Sequence, residues 1–395
     1  MITLYISYDG VLEPLGQSQV LAYQKHLAKD FHLHLVSFEK PQDWMVVKAR
    51  KTVAHRIANS GIVWHPLSYH KRPPVIAKFY DLFAGAVLCL WLVLSKGVHI
   101  VHARSYVAAV IALILKRLTG VRFIFDMRGF WADERIDGSL WASDGSLYKI
   151  AKWLEREFLL NADHVVSLTH AAVREMEKFP YLVGRMPTVT VIPTCADLEQ
   201  FCPQPEIEKE FLLGYLGSAG TWYEFDATVA CFAEALRLKP QARFLIINRN
   251  EHEYIRERLI AGGVPLSAVE LRVASYSEVP KQIARVFAGI FFYKPSFSRA
   301  ACAPTKLGEF LGCGVPCLSN SGVGDMTEIL EGERIGVAVN DFSSESLRWG
   351  LSRLLDLVAE HGIDARCVAV AHKHFSLYKG VDKYRKVYQG LISNS

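Results

Sequence analysis

Short apolar runs alternate with helical patterns along almost the whole chain of 395 residues. The alternation predicts parallel sheets whose strands are joined by right-handed helical crossovers. Helical patterns cover, for example, residues 19–29, 106–118, 147–160, 225–238 and 344–359. The predicted strands are residues 2–7, 33–38, 63–67, 99–103, 122–126, 164–168 and 189–192, followed by 211–216, 243–247, 269–273, 289–293, 315–319 and 336–339.

The alternation is interrupted once, at residues 193–206, which contain three prolines. We therefore predict an α/β protein of two Rossmann-like domains, residues 1–200 and 206–375. The tail, residues 377–395, has the spacing of an amphipathic helix and is expected to pack back on the first domain. Two such domains would face a central cleft at the carboxyl ends of their strands, where ligands of α/β sheets bind.

The composition excludes several classes of protein. Hydrophobic residues make up 51% and charged residues 22%, which excludes a disordered chain. A net charge of +5 is too small for its length to indicate a nucleic-acid partner, although it is compatible with anionic phosphates. The eight cysteines contain no CxxC pair, as expected of a reduced cytoplasmic protein. The first predicted strand begins at residue 2, so no signal peptide is expected.

One apolar run raises the question of a membrane. Residues 82–94 contain no charge, with basic residues at 70–72 and 96 on either side. A run of 13 residues is too short to span a bilayer about 30 Å thick. Two interpretations remain, a buried crossover helix and a helix lying in the membrane surface. The second corresponds to peripheral attachment at the inner face of the plasma membrane.

Residues 297–316 are the candidate for a phosphate site. Pro304 suits the first position of a helix, and Ala303 before it offers no side-chain cap. The N–H groups of Thr305 and Lys306 therefore need another acceptor, and a diphosphate would satisfy them. At about 100° per residue, Thr305, Lys306 and Glu309 share one face of this helix. The alternative is an ordinary surface helix with a solvated lysine and a solvated glutamate.

The sequence of residues 304–325, PTKLGEFLGCGVPCLSNSGVGD, resembles the C-terminal motif of glycosyltransferase family 4, retaining enzymes of the GT-B fold. Residues 191–203, VIPTCADLEQFCP, resemble the interdomain segment of that family. Two further segments, residues 8–20 and 125–135, are similar to a bacterial subgroup that builds surface polysaccharides. The resemblance covers nearly the whole chain.

The resemblance implies a set of binding residues in the first domain. Gly16 and Gln17 occupy the loop that approaches the donor phosphates or the acceptor. Arg104 stands where related enzymes often have a histidine. Arg104 and Arg128 are suited to anionic groups, and Asp133 and Glu134 to sugar hydroxyls. The alternative for this charged cluster is a set of interdomain salt bridges.

In the second domain the resemblance implies a donor site. Glu309 matches the glutamate that holds the nucleotide ribose, whereas Ala301 replaces the family's other glutamate. Pro304 and Thr305 begin the motif. The loop at Gly217 and Ser218 lacks the arginine and lysine that relatives place there. Lys306 is the natural substitute, aided by Arg249 or Arg299.

These features together predict a hexosyltransferase that acts on a UDP- or GDP-sugar, and the resemblance implies that it retains the configuration of the sugar. Its acceptor is expected to be a glycan or a lipid-linked sugar in surface polysaccharide synthesis. Lys306 and the helix end would neutralise the leaving diphosphate, so no metal or other cofactor is expected, and the chain contains no Asp-x-Asp triplet. The alternatives are a nucleotide-sugar epimerase or hydrolase of the same fold, and a non-catalytic sugar-nucleotide-binding subunit.

Overall fold

A computed structural model describes residues 1–393, which divide into two compact units. The first unit comprises Met1–Pro193 together with the tail from Leu377, and the second comprises Thr194–Ser376. Each unit contains one fully parallel sheet covered by helices, with seven strands in the first unit and six in the second. The predicted α/β class and both strand counts are confirmed.

The sheet of the first unit has the strand order β3-β2-β1-β4-β5-β6-β7. Its strands are β1 (Ile2–Ser7), β2 (His32–Glu39), β3 (Val63–Ser68), β4 (Ile100–Arg104), β5 (Arg122–Asp126), β6 (His164–Ser167) and β7 (Val189–Val191). Its helices are α1 (Pro14–Gly16), α2 (Ala22–Leu27), α3 (Pro41–Trp44), α4 (Val47–Asn59), α5 (Pro74–Lys96), α6 (Ser105–Thr119), α7 (Trp131–Asp137), α8 (Ser146–Asn161) and α9 (His170–Met176). A π-helical turn, Gln17–Leu21, joins α1 to α2.

The sheet of the second unit has the order β10-β9-β8-β11-β12-β13. Its strands are β8 (Leu212–Leu216), β9 (Arg243–Ile247), β10 (Val269–Arg272), β11 (Ala288–Ile290), β12 (Cys317–Asn320) and β13 (Gly336–Val339). Its helices are α10 (Phe225–Leu238), α11 (His252–Ala261), α12 (Val279–Ala284), α13 (Thr305–Gly312), α14 (Met326–Gly332), α15 (Ser344–Val358) and α16 (Ile363–His374).

Both sheets reverse their winding direction once. In the first unit the chain moves outward from β1 to β3 and then returns to place β4 beside β1. In the second unit it moves outward from β8 to β10 and then places β11 beside β8. Helices on either side of such a point diverge, which leaves a crevice at the carboxyl ends of the two strands. Each unit therefore has one position where its sheet favours a ligand.

The division between the units comes at Pro193, earlier than the predicted end of the first domain at residue 200. The segment that follows packs into the second unit, where the side chain of Phe201 is fully buried in the core. The backbone N–H of Ala196 donates a hydrogen bond to the carbonyl of Phe375. The segment therefore belongs to the second unit, because its apolar residues are buried there. Its proline-rich composition alone did not indicate this burial.

The tail forms α17 (Leu377–Ser393) and packs against α2 in the first unit. Two of its tyrosines, four residues apart and therefore on one helix face, reach polar groups of the sheet. The hydroxyl of Tyr384 donates to a carboxylate oxygen of Asp126 at 2.9 Å. The hydroxyl of Tyr388 lies 2.7 Å from Nδ1 of His102. All four side chains are buried, so the tail is held by a polar network inside the first unit.

Candidate active site

The helix that carries the candidate phosphate site begins one residue later than predicted. Pro304 is the residue before α13, with extended backbone angles, and Thr305 is the first helical residue. No side chain caps the helix, as expected from Ala303 and Pro304. Because α13 leads into β12, this uncapped end lies at the carboxyl edge of the sheet. Its free N–H groups give that edge a partial positive charge.

Lys306, in the first turn of α13, is not a solvated surface residue. The side chain is buried, with 6% of its surface exposed. Its ammonium group lies 3.8 Å from the ring centre of Tyr223 and 4.7 Å from that of Tyr215. Phe291 and Tyr293 complete an aromatic box at 5.4 and 5.9 Å. Within the described chain, no group accepts a hydrogen bond from this nitrogen.

The aromatic box forms where the sheet reverses. Tyr215 lies on β8, and Phe291 and Tyr293 directly follow β11, so the box spans the two strands at the reversal. Burial lowers the pKa of Lys306 to about 7, while the carboxylate of Glu309 acts in the opposite direction. The ring faces attract the cation but leave its hydrogen-bond donors unused. An ammonium group in this environment can donate hydrogen bonds to the oxygen atoms of a bound anion.

Glu309 lies one turn further along α13 and is also buried, with 8% of its surface exposed. Burial raises its pKa to about 7, and the positive charge of Lys306 acts against that rise. The two groups share the predicted face, yet they form no ion pair within 4.0 Å in the described part of the chain. The interpretation as a solvated surface pair is wrong. A carboxylate and an ammonium that are both buried, close and not paired form an incomplete polar site.

The loop after β8 has a different construction from the one expected. Gly217 has φ of +97°, and a Cβ placed on it would come 3.6 Å from the ammonium nitrogen of Lys306. Ser218 is exposed. The next two N–H groups, of Ala219 and Gly220, both donate to Glu251 at 2.9 Å. The N–H groups of Ala219 and Gly220 are thus already bonded to Glu251. A ligand could approach this loop through the space beside Gly217.

Arg249 follows β9 and is exposed, so its guanidinium lies at the same carboxyl edge of the sheet as the box. Glu251 and the four aromatic residues of the box are site residues that were not predicted from the sequence. A signal for part of the box was present in the sequence, because Phe291 and Tyr293 alternate at strand spacing. Their convergence on one lysine is a matter of tertiary structure.

In the first unit, a second buried cation lies at the other reversal point. Arg104 ends β4, beside β1, and its guanidinium is 3.9 Å from the carboxylate of Asp9. Arg128 follows β5 and lies 3.9 Å from Asp126. Both arginines stand at left-handed turns, since Ser105 has φ of +66° and Arg128 itself +58°. Such angles raise the conformational energy of a non-glycine residue, so contacts with the surrounding structure must hold the backbone in place.

Asp133 and Glu134 lie in the first turn of α7, after Arg128. The carboxylate of Asp133 is engaged within the protein. One oxygen accepts a hydrogen bond from Tyr148 at 2.8 Å and the other from Lys152 at 2.9 Å. Glu134 is half-buried. Asp133 is therefore held in place by two donors of α8, which is a structural role that the sequence did not indicate.

Gly16 lies in a tightly packed loop, with backbone atoms of that loop directly against it. The residue is buried, and Gln17 donates from its amide nitrogen to the carbonyl of Leu12 at 3.0 Å. Glu39, at the end of β2, accepts hydrogen bonds from the N–H groups of Val11 and Leu12 at 2.9 and 3.1 Å. The structure thus gives Gly16 a packing role in the loop after β1.

We predict that Gly16→Ala destabilises the protein by about 2–3 kcal/mol, because the added methyl group overpacks the loop. A Cβ at this position would come 2.1 Å from the carbonyl oxygen of Gly10 and 2.7 Å from Cα of Val11. Both neighbours are backbone atoms, which move only if the loop moves. Chemical denaturation of the full chain measures the loss. Gly332→Ala is the control, since nothing lies within 4 Å of its Cβ position; equal effects of the two variants would contradict the packing role.

Comparison with solved structures shows the fold class. The chain is similar to the sucrose-phosphate synthase of Thermosynechococcus elongatus, with a TM-score of 0.75 and 14% identity over 100% of both chains. It is similar to a glycosyltransferase of Rickettsia africae, with a TM-score of 0.71 and 14% identity over 100% of this chain and 99% of the other. A third similar structure is HepE of Anabaena, solved with UDP-glucose. Its TM-score is 0.69, with 13% identity over 99% of this chain and 100% of HepE. A search of the curated proteins finds no match.

At such low identity these likenesses establish the fold, which is GT-B. Residues 19–195 match the model of the glycosyl transferase 4-like domain. The protein is therefore a glycosyltransferase of GT-B type, and the resemblance noted in the sequence is confirmed.

Proposed function

We propose that the second unit binds a UDP- or GDP-hexose and that the enzyme transfers the hexose with retention of configuration to a glycan or lipid-linked acceptor in surface polysaccharide synthesis. One observation carries the donor assignment. Lys306 and Glu309 are buried on one helix turn at the point where the sheet reverses, and they do not neutralise each other. A nucleoside diphosphate supplies both missing partners, an anion for the lysine and hydroxyl donors for the glutamate.

The reaction creates negative charge on the departing diphosphate, and the site offers positive charge for it. As the bond from the anomeric carbon to the phosphate oxygen lengthens, the sugar gains oxocarbenium character. The ammonium of Lys306 and the N–H groups at the start of α13, from Thr305 onward, would accept the charge that the leaving group acquires. These groups are part of the protein and are already oriented. We therefore propose that transfer needs no divalent metal.

Glu309 is assigned to the ribose hydroxyls, which would donate to its carboxylate. Gly217 provides room for the diphosphate beside Lys306, and Arg249 offers a second cation at the same edge. Ser218 is exposed on the same loop and would contact the donor. The HepE structure contains UDP-glucose, which supports a nucleotide sugar as the donor class for this fold.

Arg104 and Arg128 are assigned to the acceptor in the first unit. Both guanidinium groups are largely buried positive charges at the carboxyl edge of the sheet, which suits them to an anionic group on the acceptor. A lipid-linked sugar carries such a group in its phosphate. Glu134 is assigned to acceptor hydroxyls, whereas Asp133 would support α7. We place the reaction at the cytoplasmic side of the membrane.

Two other functions predict different products. A hydrolase or epimerase of the same fold would consume the nucleotide sugar without any acceptor. A non-catalytic binding subunit would bind it and release it unchanged. Product analysis with and without a mixture of lipid-linked acceptors therefore separates the three, and turnover that depends on the acceptor supports the transferase.

The affinity for the nucleotide sugar is expected to be highest near pH 7. The pKa of Lys306 is about 7 in the unliganded protein, and a bound diphosphate raises it. Above pH 7 the complex then holds more protons than the free protein. The affinity therefore falls by up to tenfold for each unit by which the pH rises. The pKa of Glu309 is also about 7, and bound hydroxyls lower it. Affinity should therefore also fall as the pH drops below 7.

Calorimetric titration of UDP- and GDP-sugars between pH 5.5 and 9 tests this profile, because their diphosphates do not ionise in that range. Glu309→Gln should remove the decline on the acidic side and leave the decline on the alkaline side. Arg237→Gln, a change on an exposed side chain of α10, is the control. A flat profile in the unmodified protein would contradict the assignment of both groups.

A further inference from the structure

Helix α5 presents an apolar stripe to solvent along its whole length. At about 100° per residue, six exposed apolar side chains fall within an arc of about 120°. Phe79 and Phe83 are each 70% exposed. The stripe consists of Ile76, Phe79, Phe83, Val87, Trp91 and Leu94. Single exposed apolar residues are ordinary on a protein surface, but a continuous stripe of this length marks an interaction surface.

The opposite face of α5 is anchored to the first unit, so the stripe cannot turn inward. Asp81 is buried and accepts hydrogen bonds from the hydroxyl of Tyr8 at 2.9 Å and from the N–H of His70 at 3.1 Å. Gly85 packs so closely on α6 that an added Cβ would come 2.8 Å from the side chain of Ile111. These contacts of the inner face fix the rotation of the helix about its axis. The apolar stripe on the outer face therefore stays exposed.

The position of α5 in the fold favours a helix that lies along a membrane surface over one that crosses a bilayer. The charge-free run of residues 82–94 is too short to span a bilayer, but α5 is longer than this run. It has 23 residues and includes the charged residues Lys78 and Asp81. Residues Val75–Lys96 are long and apolar enough to span a membrane. However, α5 connects β3 to β4 within a single sheet, and it packs against that sheet and α6. A helix fixed along the sheet in this way can contact lipid only with its outer face.

The apolar surface continues across the same layer of helices. Helix α6 contacts α5 on one side and α8 on the other. On α6, Leu118 is exposed. On α8, Leu147, Ile150 and Trp153 are exposed at helical spacing. We call these exposed side chains of α5, α6 and α8 the apolar face. Its two tryptophans, Trp91 and Trp153, are of the residue type enriched where membranes meet water.

On the three helices of the apolar face, the exposed charges have one sign. Of the charged side chains described on these three helices, the exposed ones are all basic, namely Lys96, Arg117, Lys149 and Arg156. The acidic residues are withdrawn from solvent. Asp81 and Glu155 are buried, and Glu157 is ion-paired with Arg117 at 2.6 Å and Arg156 at 3.0 Å. Anionic lipid headgroups complement such a border.

We propose that the apolar face of the first unit docks on the surface of an anionic lipid bilayer, with the rings of α5 and α8 among the acyl chains and the basic side chains at the headgroups. This surface is separate from the donor site, so docking does not depend on the proposed reaction. The contact between Asp81 and Tyr8, which follows β1, places the start of α5 near the carboxyl edge of the sheet. A lipid-linked acceptor in the same membrane would then be presented at that edge.

Co-sedimentation of the full chain with vesicles tests the proposal. Vesicles of phosphatidylcholine with 30% phosphatidylglycerol should bind the protein, vesicles of phosphatidylcholine alone should bind it weakly, and added salt should weaken binding. The double variant Phe79→Ser/Phe83→Ser should bind more than about tenfold less tightly. Lys96→Gln and Lys149→Gln should each reduce binding about fivefold. Ile260→Ser/Trp349→Ser is the matched control, because both side chains are exposed on the second unit.

Quenching by brominated acyl chains locates the contact. Loss of quenching in Trp91→Phe and Trp153→Phe, but not in Trp349→Phe, would support docking through the apolar face. Thermal unfolding of each variant confirms folding, which is expected because the substituted side chains are exposed. The proposal is overturned if the phenylalanine variant binds vesicles as well as the unmodified chain, or if the chain binds no anionic vesicle. It is equally overturned if the chain forms a dimer that the same variant dissociates, since the face would then be a protein interface.

Discussion

Lys306→Met should lower kcat/KM for hexose transfer by about 10²–10³-fold, because it removes the cation assigned to the leaving diphosphate. Methionine is similar in length and apolar, so it should fill the aromatic box that surrounds the ammonium group. Transfer from a radiolabelled nucleotide sugar measures the loss. Lys281→Met, at an exposed position of α12, is the control and should retain full activity.

The same variant should be more stable than the unmodified protein at pH 7. Burial lowers the pKa of Lys306 from 10.5 to about 7. Burying the charged lysine therefore lowers the free energy of unfolding by on the order of a few kcal/mol. This penalty is present in full below pH 7 and disappears as the pH rises toward 10.5. The melting temperature of the variant should therefore exceed that of the unmodified protein by several degrees at pH 7 and by less at pH 9.

Gain of stability with loss of activity distinguishes a functional lysine from a structural one. If Lys306 only supported the fold, its replacement would lower both quantities together. A variant that transfers hexose at the normal rate would contradict the role assigned to the ammonium group. A variant with the same melting temperature difference at pH 7 and pH 9 would contradict the penalty from burial.

Asp126→Asn should destabilise the protein by about 3–5 kcal/mol, because it removes a buried negative charge from beside the buried guanidinium of Arg128. Asp126 also accepts the hydrogen bond of Tyr384, so the variant should loosen α17. Burial by itself would raise the pKa of Asp126, but the guanidinium of Arg128 holds it below its usual value of 3.8. The stabilising effect is thus present above about pH 4 and disappears as the pH falls through the lowered pKa.

Chemical denaturation measures the cost, and hydrogen exchange of residues 377–393 reports the local loosening. Asp30→Asn is the matched control. It breaks the ion pair with Arg385, which also joins the tail to the first unit but is partly exposed to solvent. Such surface pairs contribute about 1 kcal/mol or less. Similar costs for the two variants would show that the buried network does not hold the tail.

Most of the fold could be predicted because strands and helices differ in local pattern. The predicted helix at residues 225–238 coincides with α10, and the first predicted strand coincides with β1. The errors arose where local pattern and tertiary packing disagree. The charge-free run covers only residues 82–94, whereas α5 also contains Asp81, whose carboxylate accepts hydrogen bonds from Tyr8 and His70. A charge that ends an apolar run in the sequence need not end a helix when the fold provides its partners.

The site could be predicted only in part. An uncapped helix start, with Lys306 and Glu309 on one face, is a property of consecutive residues, and the sequence determined it. Whether that face meets water or the protein interior depends on residues far away in the chain. Tyr215 and Tyr293 are 78 positions apart, and they meet at Lys306 because β8 and β11 are neighbours in the sheet.

The amino-acid sequence by itself determined the two α/β units, the strand count and the uncapped helix that carries Lys306 and Glu309 on one face, because each of these depends on spacing along the chain. The tertiary structure alone decided that Lys306 is buried without a hydrogen-bond partner, that Gly16 is a packing residue and that the apolar stripe of α5 faces outward. The physical reason is that burial and pairing are set by the order of strands in the sheets. That order brings together residues whose separation in the sequence carries no signal.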